Sequence, residues 1–220
     1  IQATGETSLA PVACRLCRVL SRFCASCNAS SRISPGASTE KSTVRPENIF
    51  VYNIDGTIIE HPGGLIPLEW RIHTQIHRDR PDAMCVCHLH APHARAVAIA
   101  GKPLKPVFLH GSFLCTGVPT WNNPRLVVND AQASDLSKTL GGHRVAQMRG
   151  HGTVVAGGSA EEAFFACTFL EENAQIMLQA DVAGGAIPLS DDEARDCAEG
   201  TYNPRLFDLL WKFYERKVAL

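Results

Sequence analysis

Three histidines and one glutamate carry the chemistry that this 220-residue chain could do. His88 and His90 are two apart in the run Ala83-Met-Cys-Val-Cys-His-Leu-His90. If that run is a strand, both rings leave the same face of the sheet, because side chains alternate with a period of two. Two converging imidazoles suit a divalent cation such as zinc or manganese, and hydrogen-bonded core histidines are the competing reading. His151 is a third imidazole, flanked by Gly150 and Gly152, which let backbone come close to a ligand. Three histidines that leave coordination positions open would make a catalytic rather than a structural metal site. Pro67 precedes an apolar stripe at helical spacing, Leu68, Ile72 and Ile76, and Glu69 is expected in the first turn of that helix, before Trp70. It reads either as a helix-start charge favoured by the macrodipole or as an acid/base or ligand beside the metal. His73 and His77 follow at helical spacing from it; they either extend the site or lie on a polar face toward solvent, the second being the expected reading.

The elements that must position these groups are legible as short apolar runs between turn signals. Ile49–Ile54 and Thr57–Ile59 read as strands joined by the tight Asp55-Gly56 turn. A helix follows Pro67 and ends at Arg80-Pro81-Asp82; the strand holding the H-x-H pair comes next, then a small helix from His93 to Ala100 stopped by Gly101. Val107–Leu114 is expected as a strand, Ala131–Leu140 as a helix closed by Gly141-Gly142, and Arg144–Met148 and Thr153–Val155 as strands around the Arg149–Gly152 turn. Ser159-Ala-Glu-Glu162 is a capping box opening a long helix to about Ala180, and Pro204–Val218 is a last amphipathic helix. Strands and helices interleave, so the fold class is α/β, a single domain with a central mixed β-sheet flanked by helices.

Composition excludes several classes. The chain is 45% hydrophobic and 20% charged, which is globular rather than disordered. No apolar stretch approaches the roughly 18 residues of a membrane span, so no membrane partner is expected. Twenty-one basic against 22 acidic residues, a net charge of −1, argue against nucleic acid as partner. Of nine cysteines, Cys85, Cys87, Cys115, Cys167 and Cys197 lie in apolar stretches and fit a reduced, cytoplasmic core. The other four form Cys14-x-x-Cys17 and Cys24-x-x-Cys27, with a gap of six residues. That gap is far below the usual spacing of roughly 15–20 in zinc sites, so residues 1–33 are expected to be a poorly ordered Cys/Ser/Arg-rich leader ahead of a catalytic domain at 34–220. The leader has no apolar signal-peptide core, and a first residue other than Met implies that the true start lies upstream.

The run Pro67-Leu-Glu69-Trp-Arg-Ile-His73, then Arg80-Pro-Asp-Ala83, His88-Leu-His90-Ala and Gly150-His151-Gly152 resembles the class II aldolase/adducin-head family over about 34–180. The resemblance implies a small-molecule substrate, one divalent ion per subunit held by His88, His90 and His151, Glu69 as acid/base carboxylate, and a homotetramer with sites at subunit contacts. The family's aldolases carry two serines before that glutamate to hold a substrate phosphate, where this chain has only Leu68 between Pro67 and Glu69. Their earlier phosphate-binding segment has only a faint echo here, Asn28-Ala-Ser30, near Ser34 and Gly36. A phosphorylated sugar would bring about two negative charges to a site with few donors. His110-Gly-Ser-Phe-Leu-Cys-Thr-Gly-Val-Pro119 and Met148–Val155 are similar to the branch that decarboxylates hydroxylated aromatic or pyridine dicarboxylates. On that resemblance His110 is the expected proton donor, and Arg149 or Arg71 pairs with the retained carboxylate, with Ser34 and Gly36 near the substrate. A surface-turn arginine is the other reading of Arg149. A sugar aldolase or epimerase and a non-catalytic adducin-like module are the alternatives.

Overall fold

The computed structural model describes residues 30–35 and 44–218. The Cys14/Cys17/Cys24/Cys27 cluster and Gly36 lie outside them.

Two sheets form rather than one. Strands β1 (Ser30–Ile33), β2 (Phe50–Asn53) and β3 (Ile58–Glu60) make a three-stranded antiparallel sheet in the order β1-β2-β3. β1 falls in the last residues of the segment read as leader; its Ser31 and Ile33 are buried and the strand pairs along the whole of β2. Four residues with one inward face are too short to display a period, and the pairing with an apolar neighbour supplies what their own text lacks. The β2–β3 turn is the one expected: Thr57 N–H donates to Asp55 Oδ1 at 2.8 Å and Gly56 has φ +95°. A Cβ at Gly56 would also come within 2.6 Å of the Trp70 ring, which stacks on Tyr52 at 5.0 Å and 17°. That stack joins the small sheet to helix α1 (Trp70–Asp79).

The second sheet is the expected mixed one, β4 (Cys85–Leu89), β5 (Thr120–Trp121), β6 (Val145–Met148) and β7 (Gly152–Gly157), in the order β4-β7-β6-β5. β7 runs antiparallel to both β4 and β6, and β5 is parallel to β6. All six residues of β7 are buried, which fits the central Val154-Val155-Ala156 run. Helix α2 (Pro92–Ile99) follows β4 directly, and α3 (Asp130–Leu140) is capped by Asn129, whose side chain accepts from Gln132 N–H. Helix α4 (Ala160–Val182) starts with Ser159 accepting from Glu162 N–H and buries Phe164, Phe165, Leu170 and Met177 against the sheet. Helices α5 (Asp191–Thr201) and α6 (Pro204–Val218) close the structure, with Phe207 and Trp211 buried.

Two further expectations change. The segment read as a strand at Val107–Leu114 is a 3-10 helix over Leu109–Thr116, which buries Gly111 to Leu114 on consecutive positions instead of alternate ones. Helix α5 was not expected at all, although Ser190 and Glu193 form a complete capping box; its mostly charged sequence buries only Ala194 and so shows little apolar stripe. His73 and His77 are half-buried rather than solvent-facing, and His77 Nδ1 bonds the Ala83 carbonyl at 2.8 Å, tying the end of α1 to the loop before β4. None of the five described cysteines is in a disulfide, and Cys85 and Cys167 are buried. Among the described residues no helix is long and apolar enough to cross a membrane.

Candidate metal centre

The β4–β7 pairing is what assembles the histidines. Leu89 faces Thr153 and His88 faces Val154 across the ladder, so the end of β4 lies beside the turn that enters β7. That turn is tight: His151 N–H donates to the Met148 carbonyl at 3.0 Å, and Gly150 takes φ +71°. His88 and His90 project from one face, as their spacing predicts, and the turn swings His151 onto the same place. Ring centroids are 5.0 Å apart for His88–His90 and His88–His151, and 5.2 Å for His90–His151. Glu69, the residue preceding α1, brings the fourth donor, and one donor atom from each of the four lies within 4.8 Å of the others.

Each donor is held from behind. His88 Nδ1 faces the Thr153 carbonyl at 3.2 Å and His151 Nδ1 the Arg125 carbonyl at 3.3 Å. A carbonyl only accepts, so both Nδ1 atoms carry the proton and both Nε2 atoms present a lone pair to the centre. Those two Nε2 atoms are buried and have no hydrogen-bond partner among the described residues. Glu69 Oε1 accepts from Val127 N–H at 2.9 Å, which turns Oε2 inward, 3.4 Å from His88 Nε2 and 3.4 Å from His151 Nε2. At that length neither contact is a well-formed hydrogen bond, and two acceptors facing each other call for a proton or a cation between them.

The electrostatics are those of a site built for positive charge. Burial alone would raise the Glu69 pKa, but the His151 and His88 rings and the Val127 N–H outweigh it and hold the carboxyl far below its ordinary range. The Glu69 carboxylate raises the His151 pKa, while burial and then the neighbouring His88 and His151 rings lower that of His90. An ionised carboxylate among imidazoles with orphaned, inward lone pairs fits a divalent cation of the N/O-preferring kind. Gly152 is required by the packing: a Cβ there would lie 2.6 Å from the Leu89 carbonyl oxygen and 2.8 Å from His90 Cδ2.

The remaining site residues named from sequence make other contacts. His110 stacks on Phe169 (4.7 Å, 13°) and its other ring contacts are Phe108 and Phe165, not the three imidazoles. Arg71 lies over the Trp70 ring and its Nε donates to Asp130 Oδ1 at 2.9 Å. Arg149 donates from Nε to Asn122 Oδ1 and, with Arg125, lines a cavity of about 570 Å³ beside β5. Ser34 is half-buried just after β1. Sequence reading did not find the groups that orient the donors, Thr153 O, Arg125 O and Val127 N–H. They are backbone atoms, which every residue type has, so no residue type signals them.

Among curated proteins, 3,4-dihydroxyphthalate decarboxylase from Arthrobacter keyseri is 34% identical over 172 residues, 74% of this chain and 66% of that protein. Beta-adducin from Homo sapiens is 28% identical over 150 residues, 66% of this chain but 20% of the adducin. The chain thus spans no more than about two thirds of the length of the curated relatives it matches first. An aldolase II superfamily protein from Pseudomonas syringae shares the fold, with a TM-score of 0.74 at 22% identity over 98% of this chain and 94% of that one. Residues 33–178 match the family described as Class II Aldolase and Adducin N-terminal domain, and the chain belongs to that family.

Proposed function

We propose that this protein is a metal-dependent carbon–carbon lyase that decarboxylates a hydroxylated aromatic or pyridine dicarboxylate. The observation that carries the reading is the convergence of Glu69, His88, His90 and His151, with the Nε2 atoms of His88 and His151 buried and unpartnered. The decarboxylase name of a relative 34% identical to the chain supports the reaction class. The ion is one zinc or manganese per subunit, and the working form is a cytoplasmic homotetramer with sites near subunit contacts.

A divalent cation held by His88, His90 and His151 would supply Lewis acidity to a substrate oxygen. The chain's own residues do the rest. Glu69, anchored through Oε1, offers Oε2 as acceptor for the proton of a ring hydroxyl. His110 delivers a proton to the ring carbon that loses its carboxylate, so that one proton enters as one CO2 leaves. Arg71, Arg149 and Ser34, with Gly36, stand as the substrate-binding groups. The family's sugar aldolases are the second reading, and the single residue between Pro67 and Glu69, the exposed Leu68, speaks against a phosphate cradle there. Purified protein loaded with zinc or manganese and given dihydroxyphthalates and ketose phosphates decides it: release of CO2 supports the proposal, and release of dihydroxyacetone phosphate without CO2 refutes it.

A further inference from the structure

We infer that Glu171 is a positioning residue for His90, which it holds through the first turn of α2; the assignment rests on the metal-dependent reading above. His88 and His151 are each aimed by a backbone carbonyl behind Nδ1. His90 is not. Its ring meets the two other imidazoles, at 5.0 and 5.2 Å, and among the described residues no carbonyl bonds either of its nitrogens. It also lies beyond the last pair of the β4–β7 ladder, Leu89 with Thr153, so no strand partner fixes its backbone. The chain that follows must do so, and that chain is Ala91 and helix α2, which starts at Pro92.

The start of that helix is held from a distant part of the chain. First-turn N–H groups have no partner within a helix, and a Ser, Thr, Asp or Asn at the cap position normally accepts from one of them. Here the cap position is Ala91, fully buried and without a side-chain acceptor, and Pro92 has no N–H. The next two donors both go to the Glu171 carboxylate: His93 N–H donates to Oε1 at 2.9 Å and Ala94 N–H to Oε2 at 3.1 Å. The His93 ring adds a third bond, from Nδ1 to Oε1 at 2.7 Å. Glu171 stands on α4, 78 residues from His93 in sequence. From the other side, buried Gln147 of β6 donates to the Ala94 carbonyl at 2.9 Å. The corner after His90 is thus clamped between α4 and β6. A carboxylate suits the place twice, because it accepts charge-assisted hydrogen bonds and complements the positive end of the helix dipole. Without it the first turn of α2 loses its acceptor, and the Ala91-Pro92 corner is free to carry His90 away from the other two rings.

The test is a double-mutant cycle on zinc affinity, measured by chelator competition on the full chain carrying Glu171→Ala, His90→Ala or both. Each single change should weaken zinc about tenfold or more, as loss of a ligand or of the group that orients it does. In the His90→Ala background, Glu171→Ala should cost less than about twofold further, because the ligand it positions is already gone. The visible spectrum of bound cobalt(II) should change in Glu171→Ala toward that of His90→Ala. Glu171→Gln keeps one acceptor oxygen and the shape; it should lose about threefold in zinc affinity, again with no further loss beside His90→Ala, and it carries the cycle if the alanine variant does not fold. A loss from Glu171→Ala that adds in full to that of His90→Ala means a general structural role and overturns the assignment. Wild-type zinc affinity in both Glu171 variants also overturns it and leaves the metal centre standing. If wild type binds no zinc, or His90→Ala binds it equally well, the metal-centre reading falls and takes the Glu171 assignment with it.

Discussion

Replacing Gly152 with alanine should damage the metal centre out of proportion to the one methyl group added. The new Cβ would meet the Leu89 carbonyl oxygen at 2.6 Å, His90 Cδ2 at 2.8 Å and His88 Cε1 at 3.2 Å. The first of these is backbone in the β4–β7 ladder, so it cannot swing aside as a side-chain tip would. Either β7 shifts away from β4, or the His90 ring rotates out of the cluster. Overpacking of this kind costs about 1–3 kcal/mol. In a chain of this length each kcal/mol lowers Tm by roughly 2–4 °C, so a fall of roughly 2–12 °C is expected. Because two of the three clashes are with imidazoles of the site, zinc affinity should fall at least tenfold, about 1.4 kcal/mol. Gly150→Ala is the control: φ +71° makes it strained, but the added Cβ would meet only Pro124 Cβ, at an ordinary 3.6 Å. It should lose about 1–2 kcal/mol of stability while keeping zinc affinity within about threefold. Thermal melts of the metal-free proteins and zinc titrations of both variants give the answer. If Gly152→Ala binds zinc as wild type does, the close approach of β7 to the histidines has no role in shaping the site.

Other perturbations test the remaining supports. Glu69→Gln keeps the shape and the Val127 contact but removes the charge between the imidazoles, and zinc affinity should drop at least tenfold by titration. Burial, with smaller contributions from His77 and His88, lowers the His73 pKa to about 4, from an ordinary value of 6.5. The unfolded chain then takes up its proton first as pH falls, so the contribution of neutral His73 is complete above pH ~6.5 and is lost progressively down to about 4. The loss is at most about 3 kcal/mol, and urea unfolding with chelator present at pH 7 and pH 4.5 should show a smaller acid loss in His73→Gln than in wild type. Tyr52 is fully buried, burial pushes its pKa up to about 12, and among the described residues its hydroxyl has no hydrogen-bond partner. Tyr52→Phe should therefore leave stability unchanged or raise it by up to about 1 kcal/mol in the same assay.

Much of the chain was legible in its residues because local rules agreed with the tertiary result. The Asp55-Gly56 hairpin, the Ser159 cap of α4 and the glycine stop after α3 each depend on groups within a few residues of one another. The same holds for His88 and His90, whose common face follows from a two-residue period alone. The segment 109–116 misled because an apolar run looks the same whether it alternates in a strand or winds into a 3-10 helix against α5. β1 and α5 were missed for the opposite reason, since each buries too few side chains to write a period.

The sequence by itself determined which residue types were available to a cation and that two of them would point the same way. Only the tertiary structure decided that His151 and Glu69, 61 and 19 residues away from His90 and His88, join them. It also decided which lone pairs face inward, because that choice belongs to carbonyls of Thr153 and Arg125 and to the amide of Val127. The physical reason is that a strand's period is local, whereas the ladder partners and backbone groups that aim a ring are set by which distant segments pack beside it.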